Sequence, residues 1–180
     1  MPSAPAHTVS HPGVPPLRVD VEAVRRRHFD DGSGVRAASG VAPLGDGWLV
    51  AQDDAPHAAW LREGRVERVR VVPSIPGHDV FSSDAGTTHL KPDLEAACPV
   101  EHDGQPGVLQ LGSGCTPARC GPRVVPLDPV PLDPVPLDPE PVVVLAELGP
   151  LYARVAEGLQ LPPEDLDLEG ASRLGTTLRW

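Results

Sequence analysis

Between positions 125 and 139 the chain reads VPLDPVPLDPVPLDP, one pentapeptide written three times. Proline fixes φ and removes the amide donor, so neither a helix interior nor a central strand can run through such a stretch. The restriction extends to the whole chain, which holds 24 prolines and 18 glycines in 180 residues. Long helices are excluded, and short elements joined by many turns remain. The run itself reads as an extended, polyproline-like surface loop, an insertion tolerated because loop-closure entropy grows slowly with length. Asp128, Asp133 and Asp138 recur within it, but a loop with little else to order it is a poor source of the many oxygens calcium requires.

Outside that run the pattern is one of strands. Residues 1–16 carry proline, serine and histidine without apolar periodicity and read as a disordered tail. From 17 onward LRVDVEAV alternates weakly. VAPLGDGWLVAQDD then spells a hairpin, with Gly45-Asp46-Gly47 as its turn before a strand at 48–51. HAAWLREGRVERVRVVP adds two strands around Glu63-Gly64, and Val66, Val69 and Val71 break strict alternation in a way that suggests a bulge. A second meander starts at Glu95, turns at 102–106, continues as a strand at 107–111 and closes with an apolar strand at 142–148. PLYARVAEGL predicts one short helix, with Leu151, Val155 and Leu159 on its packing face and Pro162-Pro163 preventing its continuation. ASRLGTTLRW opens a third unit. The three tryptophans, Trp48, Trp60 and Trp180, read as packing residues.

One phrase recurs among these units. KPDLEA at 91–96 and LDLEGA at 166–171 each place a glutamate after a leucine and lead into a short apolar run. Aligned on Ser39, Glu95 and Glu169, all three units give small residues, then Leu44, Val100 or Leu174, then a turn and a strand. The second interval is longer because it holds the pentapeptides and the helix. Self-similarity of this kind marks a propeller or related β-repeat array, in which the phrase begins a blade. The expected fold is therefore all-β: an array of antiparallel meanders with one short helix, occupying 17–180 and carrying the 125–139 insertion. The chain has material for about two four-stranded blades, so the array is expected to be partial, with its last strand an open edge available for self-association.

RAASGVAPLGDGWLVAQDDAPHAAW, KPDLEA, VLQLGSGCTPAR and DLDLEGASRLGTTLRW together resemble an uncharacterised family of bacterial propeller-like proteins, itself similar to esterase-like phytase and related propellers. The resemblance runs in order through most of 35–180. It implies a propeller whose members continue past the third unit, so the chain resembles an amino-terminal portion of one. It supplies candidate polar positions rather than a reaction. Cys115 departs from the family pattern, which has a small polar residue after LGSG.

Charge and cysteine content narrow the function. A formal charge of −10 disfavours nucleic acid and anionic membranes. No apolar run reaches the ~20 residues of a membrane span and the amino terminus lacks the features of a secretory signal, so a cytoplasmic location is expected. Cys98, Cys115 and Cys120 are expected as free thiols, because the looser Cys115-x4-Cys120 spacing lacks the second tight pair of a zinc site. Fourteen of the fifteen basic residues are arginine, which leaves Lys91 as the single lysine.

If equivalent unit entrances face one mouth, the residues gathered there are Asp53, Asp54, His57, Lys91, Asp93, Glu95, Ser113, Arg119 and Glu169. Carboxylates so placed suit calcium, and Lys91 with Arg119 suits a small anionic ligand such as phosphate. Two functions follow. The first is a noncatalytic β-repeat protein that needs no cofactor, in which the repeated glutamates serve the architecture. The second is a calcium-assisted phosphoesterase. Gly112-Ser113-Gly114 lacks the spacing of a P-loop or a nucleophile elbow and reads as a turn leaving a strand.

Overall fold

The computed structural model describes residues 20–72, 80–127, 143–144 and 147–179. The expected tail at 1–16 and most of the pentapeptide run lie outside these residues. Two four-stranded antiparallel meanders form the body of the molecule. The first comprises β1 (Ala38–Leu44), β2 (Gly47–Gln52), β3 (His57–Arg62) and β4 (Arg65–Arg70), paired in that order. The second comprises β5 (Leu94–His102), β6 (Gln105–Gly112), β7 (Arg123–Pro126) and β8 (Val143–Val144), again in chain order. A hairpin of β9 (Ser172–Leu174) and β10 (Thr177–Arg179) follows. The fold is all-β with one short helix, α1 (Gly149–Leu159).

The turns are those the sequence spells. Gly45, Gly64, Gly104 and Gly175 hold positive φ between successive strands, where a side chain would be strained. The first strands of the three sheets, β1, β5 and β9, are neighbours in that order. Close approach of β1 to β5 depends on Gly40, where a Cβ would press on the backbone of Ala96 and Ala97. Ser39 Oγ donates to the Leu94 carbonyl across the same seam. Leu44, Leu49, Ala51, Trp60 and Val69 of the first sheet pack against Leu94, Val108 and Val125 of the second to form the main core. On its other face the second sheet packs Leu109, Leu111 and Val124 toward Leu178 of the hairpin and Ala171 just before it.

Several expectations need correction. The described part of LRVDVEAV forms no strand; among the described residues, pairing before β1 is a single bridge between His28 and Gly34, with Phe29 buried beside Val50 and Ala59. The pairing of β3 with β4 runs without a shift. The bulges fall instead at Ser39, between Ala38 and Gly40, and at Glu95, between Leu94 and Ala96. The pentapeptide run begins inside the sheet, since Val125 is fully buried in β7 and Pro126 ends that strand. Helix α1 buries Tyr152 and Ala156 and packs Val155 against them as expected, whereas Leu151 and Leu159 face solvent. Trp60 is buried with its indole N–H on the Leu44 carbonyl, while Trp48 is 55% exposed. No described helix is long and apolar enough to cross a membrane.

Candidate functional site

The two bulges put equivalent backbone at the start of β1 and of β5. Just before each, a non-glycine residue adopts positive φ: Ala37 at 42° and Asp93 at 51°. The carbonyl of each then accepts an amide from the segment that leaves the next strand, Asp53 N onto Ala37 at 2.9 Å and Ser113 N onto Asp93 at 3.0 Å. Aspartate tolerates this left-handed region better than most residues, at a cost of about 1 kcal/mol. The fold accepts that cost where the Asp93 side chain is most heavily used.

Asp93, nearly buried, is the hub. Its carboxylate receives Ser113 Oγ at 2.6 Å, Lys91 Nζ at 2.7 Å and Arg119 Nη1 at 2.8 Å. Lys91, held after the 3-10 turn Thr88–Leu90, also reaches Asp53 Oδ1 at 2.5 Å. Arg119, from the 3-10 turn Pro117–Arg119, places the same Nη1 2.9 Å from Cys115 Sγ. One carboxylate oxygen each from Asp53, Asp93 and Glu95 lies within 4.8 Å of the others, the single grouping of that kind among the described residues.

The protons are distributed unevenly across this group. Burial opposes ionisation of both aspartates. For Asp93 that opposition is outweighed by hydrogen bonds from Lys91, Ser113 and Asp53, which hold it below the usual carboxylate range. For Asp53 burial prevails, together with the adjacent Asp93, and its value rises. The pair therefore favours a proton on Asp53 and a charge on Asp93. Glu95 is pushed up to about 7, first by burial and then by the charges of Asp53, Asp93 and Glu169. Exposed Glu169 thus belongs to the same electrostatic group. When all are ionised, four carboxylates stand against two cations, Lys91 and Arg119.

Seven of the nine positions named from sequence are therefore brought together: Asp53, Lys91, Asp93, Glu95, Ser113, Arg119 and Glu169. Asp54 is turned toward Arg36, whose Nε lies 2.8 Å away. His57, the first residue of β3, sets its ring edge-on against Phe29. The GSG run serves packing. A Cβ at Gly112 would strike the carbonyls of Arg119 and Pro92, and Gly114 combines a φ of +89° with a position under the Tyr152 ring. Sequence reasoning missed Tyr152, whose hydroxyl donates to the Gly112 carbonyl at 2.9 Å and steadies the loop that carries Ser113. It also missed Cys115 as a neighbour of Arg119. All three cysteines are free.

Residues 34–180 match the model of a family of unknown function, DUF6929. The chain belongs to that family. Searches of curated proteins and of solved structures return no match. Membership covers the residues that build both meanders, the hairpin and the carboxylate group.

Proposed function

We propose that this chain is a noncatalytic, propeller-like binding protein of the cytoplasm whose sheet entrances share one mouth, and that its ligand there is a divalent cation. The observation that carries the reading is the convergence of Asp53, which follows the second strand of the first sheet, with Asp93 and Glu95 at the entrance of the second, while exposed Glu169 adds its charge from farther off. With its carboxylates ionised the group carries more negative than positive charge, which favours a divalent ion, and an all-oxygen donor set suits calcium. Bound there, the ion would tie the first two sheets together. A small anionic ligand is less well supported, because Lys91 and Arg119 already spend their charge on Asp53 and Asp93. The phosphoesterase reading needs both cations to release those partners.

Thermal melting at pH 8 with calcium, magnesium or phosphate tests this. Calcium should raise the melting temperature to a plateau, by the equivalent of about 2.7 kcal/mol at a hundredfold excess over the dissociation constant. Glu95→Gln should remove most of that gain. Absence of a shift at millimolar calcium sinks the cation reading. Calcium-dependent hydrolysis of a phosphate monoester would replace it with the phosphoesterase.

A further inference from the structure

A second polar group lies between the first two sheets. Gln110 on β6 and Arg123 on β7 are directly paired across the ladder. Side chains alternate along a strand, so Gln110 shares its face with Val108, and Arg123 shares its face with Val125. Those two valines belong to the core between the sheets. Polar side chains placed in such a core need partners. Gln110 is fully buried, and neither its Oε1 nor its Nε2 has one. Exchanging the amide oxygen and nitrogen changes nothing, because both positions are orphaned.

Arg123 is in the same condition. Its Nη1 donates to the Gly121 carbonyl at 2.6 Å, but its Nε is buried without a partner. No described carboxylate forms an ion pair with it, and burial alone pulls its pKa down. An unneutralised guanidinium beside an unsatisfied amide is the environment a buried anion relieves.

We propose that Arg123 and Gln110 bind a small planar oxoanion that carries one hydroxyl, of which bicarbonate is the simplest. The Nε and Nη2 edge of the guanidinium presents a two-donor fork suited to two coplanar oxygens. Gln110 Nε2 adds a third donor, and the ligand hydroxyl donates to Gln110 Oε1, which a simple carboxylate or a halide leaves orphaned. Arg123 keeps partial exposure, which leaves a route from solvent. The pair shares no residue with the carboxylate group, and the proposal does not rest on a cation binding there.

The test is thermal melting of the full chain at constant pH and ionic strength, with chloride exchanged for bicarbonate, formate or nitrate. Bicarbonate should raise the melting temperature saturably and at a lower half-saturating concentration than formate or nitrate. Arg123→Lys keeps the charge but loses the fork, and should raise that concentration about tenfold. Gln110→Leu removes the hydroxyl acceptor and should abolish the preference for bicarbonate while leaving the chain folded. Carbon-13 bicarbonate should show exchange broadening with the native protein and none with Arg123→Lys at the same concentration. The proposal is overturned if no oxoanion shifts the native melt, or if both variants respond as the native chain does.

Discussion

Replacing Glu95 by glutamine should make the metal-free protein more stable at pH 8 and leave it unchanged at pH 5. In the fold Glu95 holds its proton up to about pH 7, against an ordinary value of 4.5. An acid that binds its proton more tightly when folded contributes no penalty below the unfolded value. Stability then falls as pH rises from 4.5 to 7, because the unfolded chain ionises first, and the penalty is complete above 7. Taken at face value the shift corresponds to about 3 kcal/mol. Glu95 keeps enough contact with water that screening lowers this to about 1–2 kcal/mol. For a chain of this size that is about 2–8 °C in melting temperature. Melts of the native chain and Glu95→Gln should be followed by circular dichroism in chelated buffers from pH 5 to 8.5. The two curves should diverge across that interval, with the native chain the lower. Asp93, held below the usual carboxylate range, loses its stabilising contribution only at still lower pH, so it does not mask the effect. Saturating calcium should reverse the order at pH 8, since the ion needs the carboxylate that the variant lacks. Parallel curves, or a variant less stable than the native chain in chelated buffer at pH 8, would refute the assignment of buried, crowded charge at this bulge.

Tyr152→Phe should cost about 1–2 kcal/mol in urea unfolding, because the Gly112 carbonyl loses a buried donor. Gly114→Ala should cost more, about 3 kcal/mol, since it adds backbone strain at φ +89° to a collision with the Tyr152 ring; equal losses would mean that the ring does not rest on this loop. Strand β10 pairs with β9 and with no further described strand, and Leu178 reaches toward Val100 and Leu109 across an open groove of about 340 Å³. Light scattering should show an apparent mass that rises with concentration and falls again in Leu178→Lys, whereas a strict monomer at all concentrations would show the edge to be protected.

What was legible in the sequence, and what was not, follows from how each residue makes its contacts. Turns were legible because Gly45, Gly64, Gly104 and Gly175 do locally what only glycine does cheaply. The helix itself was legible, but its buried face only in part. Val155 packs as expected beside Tyr152 and Ala156, whereas Leu151 and Leu159 on the same four-residue spacing face solvent, because docking of Tyr152 over Gly114 sets the stripe. Asp53 and Asp54 are adjacent, yet one meets Lys91 and the other Arg36, because the chain turns between strands at that point. Gln110 and Arg123 were invisible for the opposite reason: polar residues in a strand suggest a solvent face, and their burial comes from the packing of a second sheet.

The repeat explains the backbone of the site and leaves its chemistry to be explained by differences between repeats. Ala37 and Asp93 occupy the same positive-φ position, and their carbonyls accept the same kind of amide. Ser39 and Glu95 are the same bulge in successive sheets. Asp53 and Ser113 stand at the same point after the second strand of each meander, as the matching amides show. If these positions served architecture alone, alanine and aspartate would be interchangeable at the first pair, and serine and glutamate at the second. Instead most of these acidic and hydroxyl side chains are used by another sheet or loop: Asp53 by Lys91, Ser113 by Asp93, and Ser39 by the Leu94 carbonyl. Identical backbone carrying unlike side chains brings Asp53, Asp93 and Glu95 together beside a single lysine, and burial, reinforced by the neighbouring carboxylates, pushes Glu95 up to about 7. A structural repeat has no need of that accumulated charge, whereas a cation-binding mouth does.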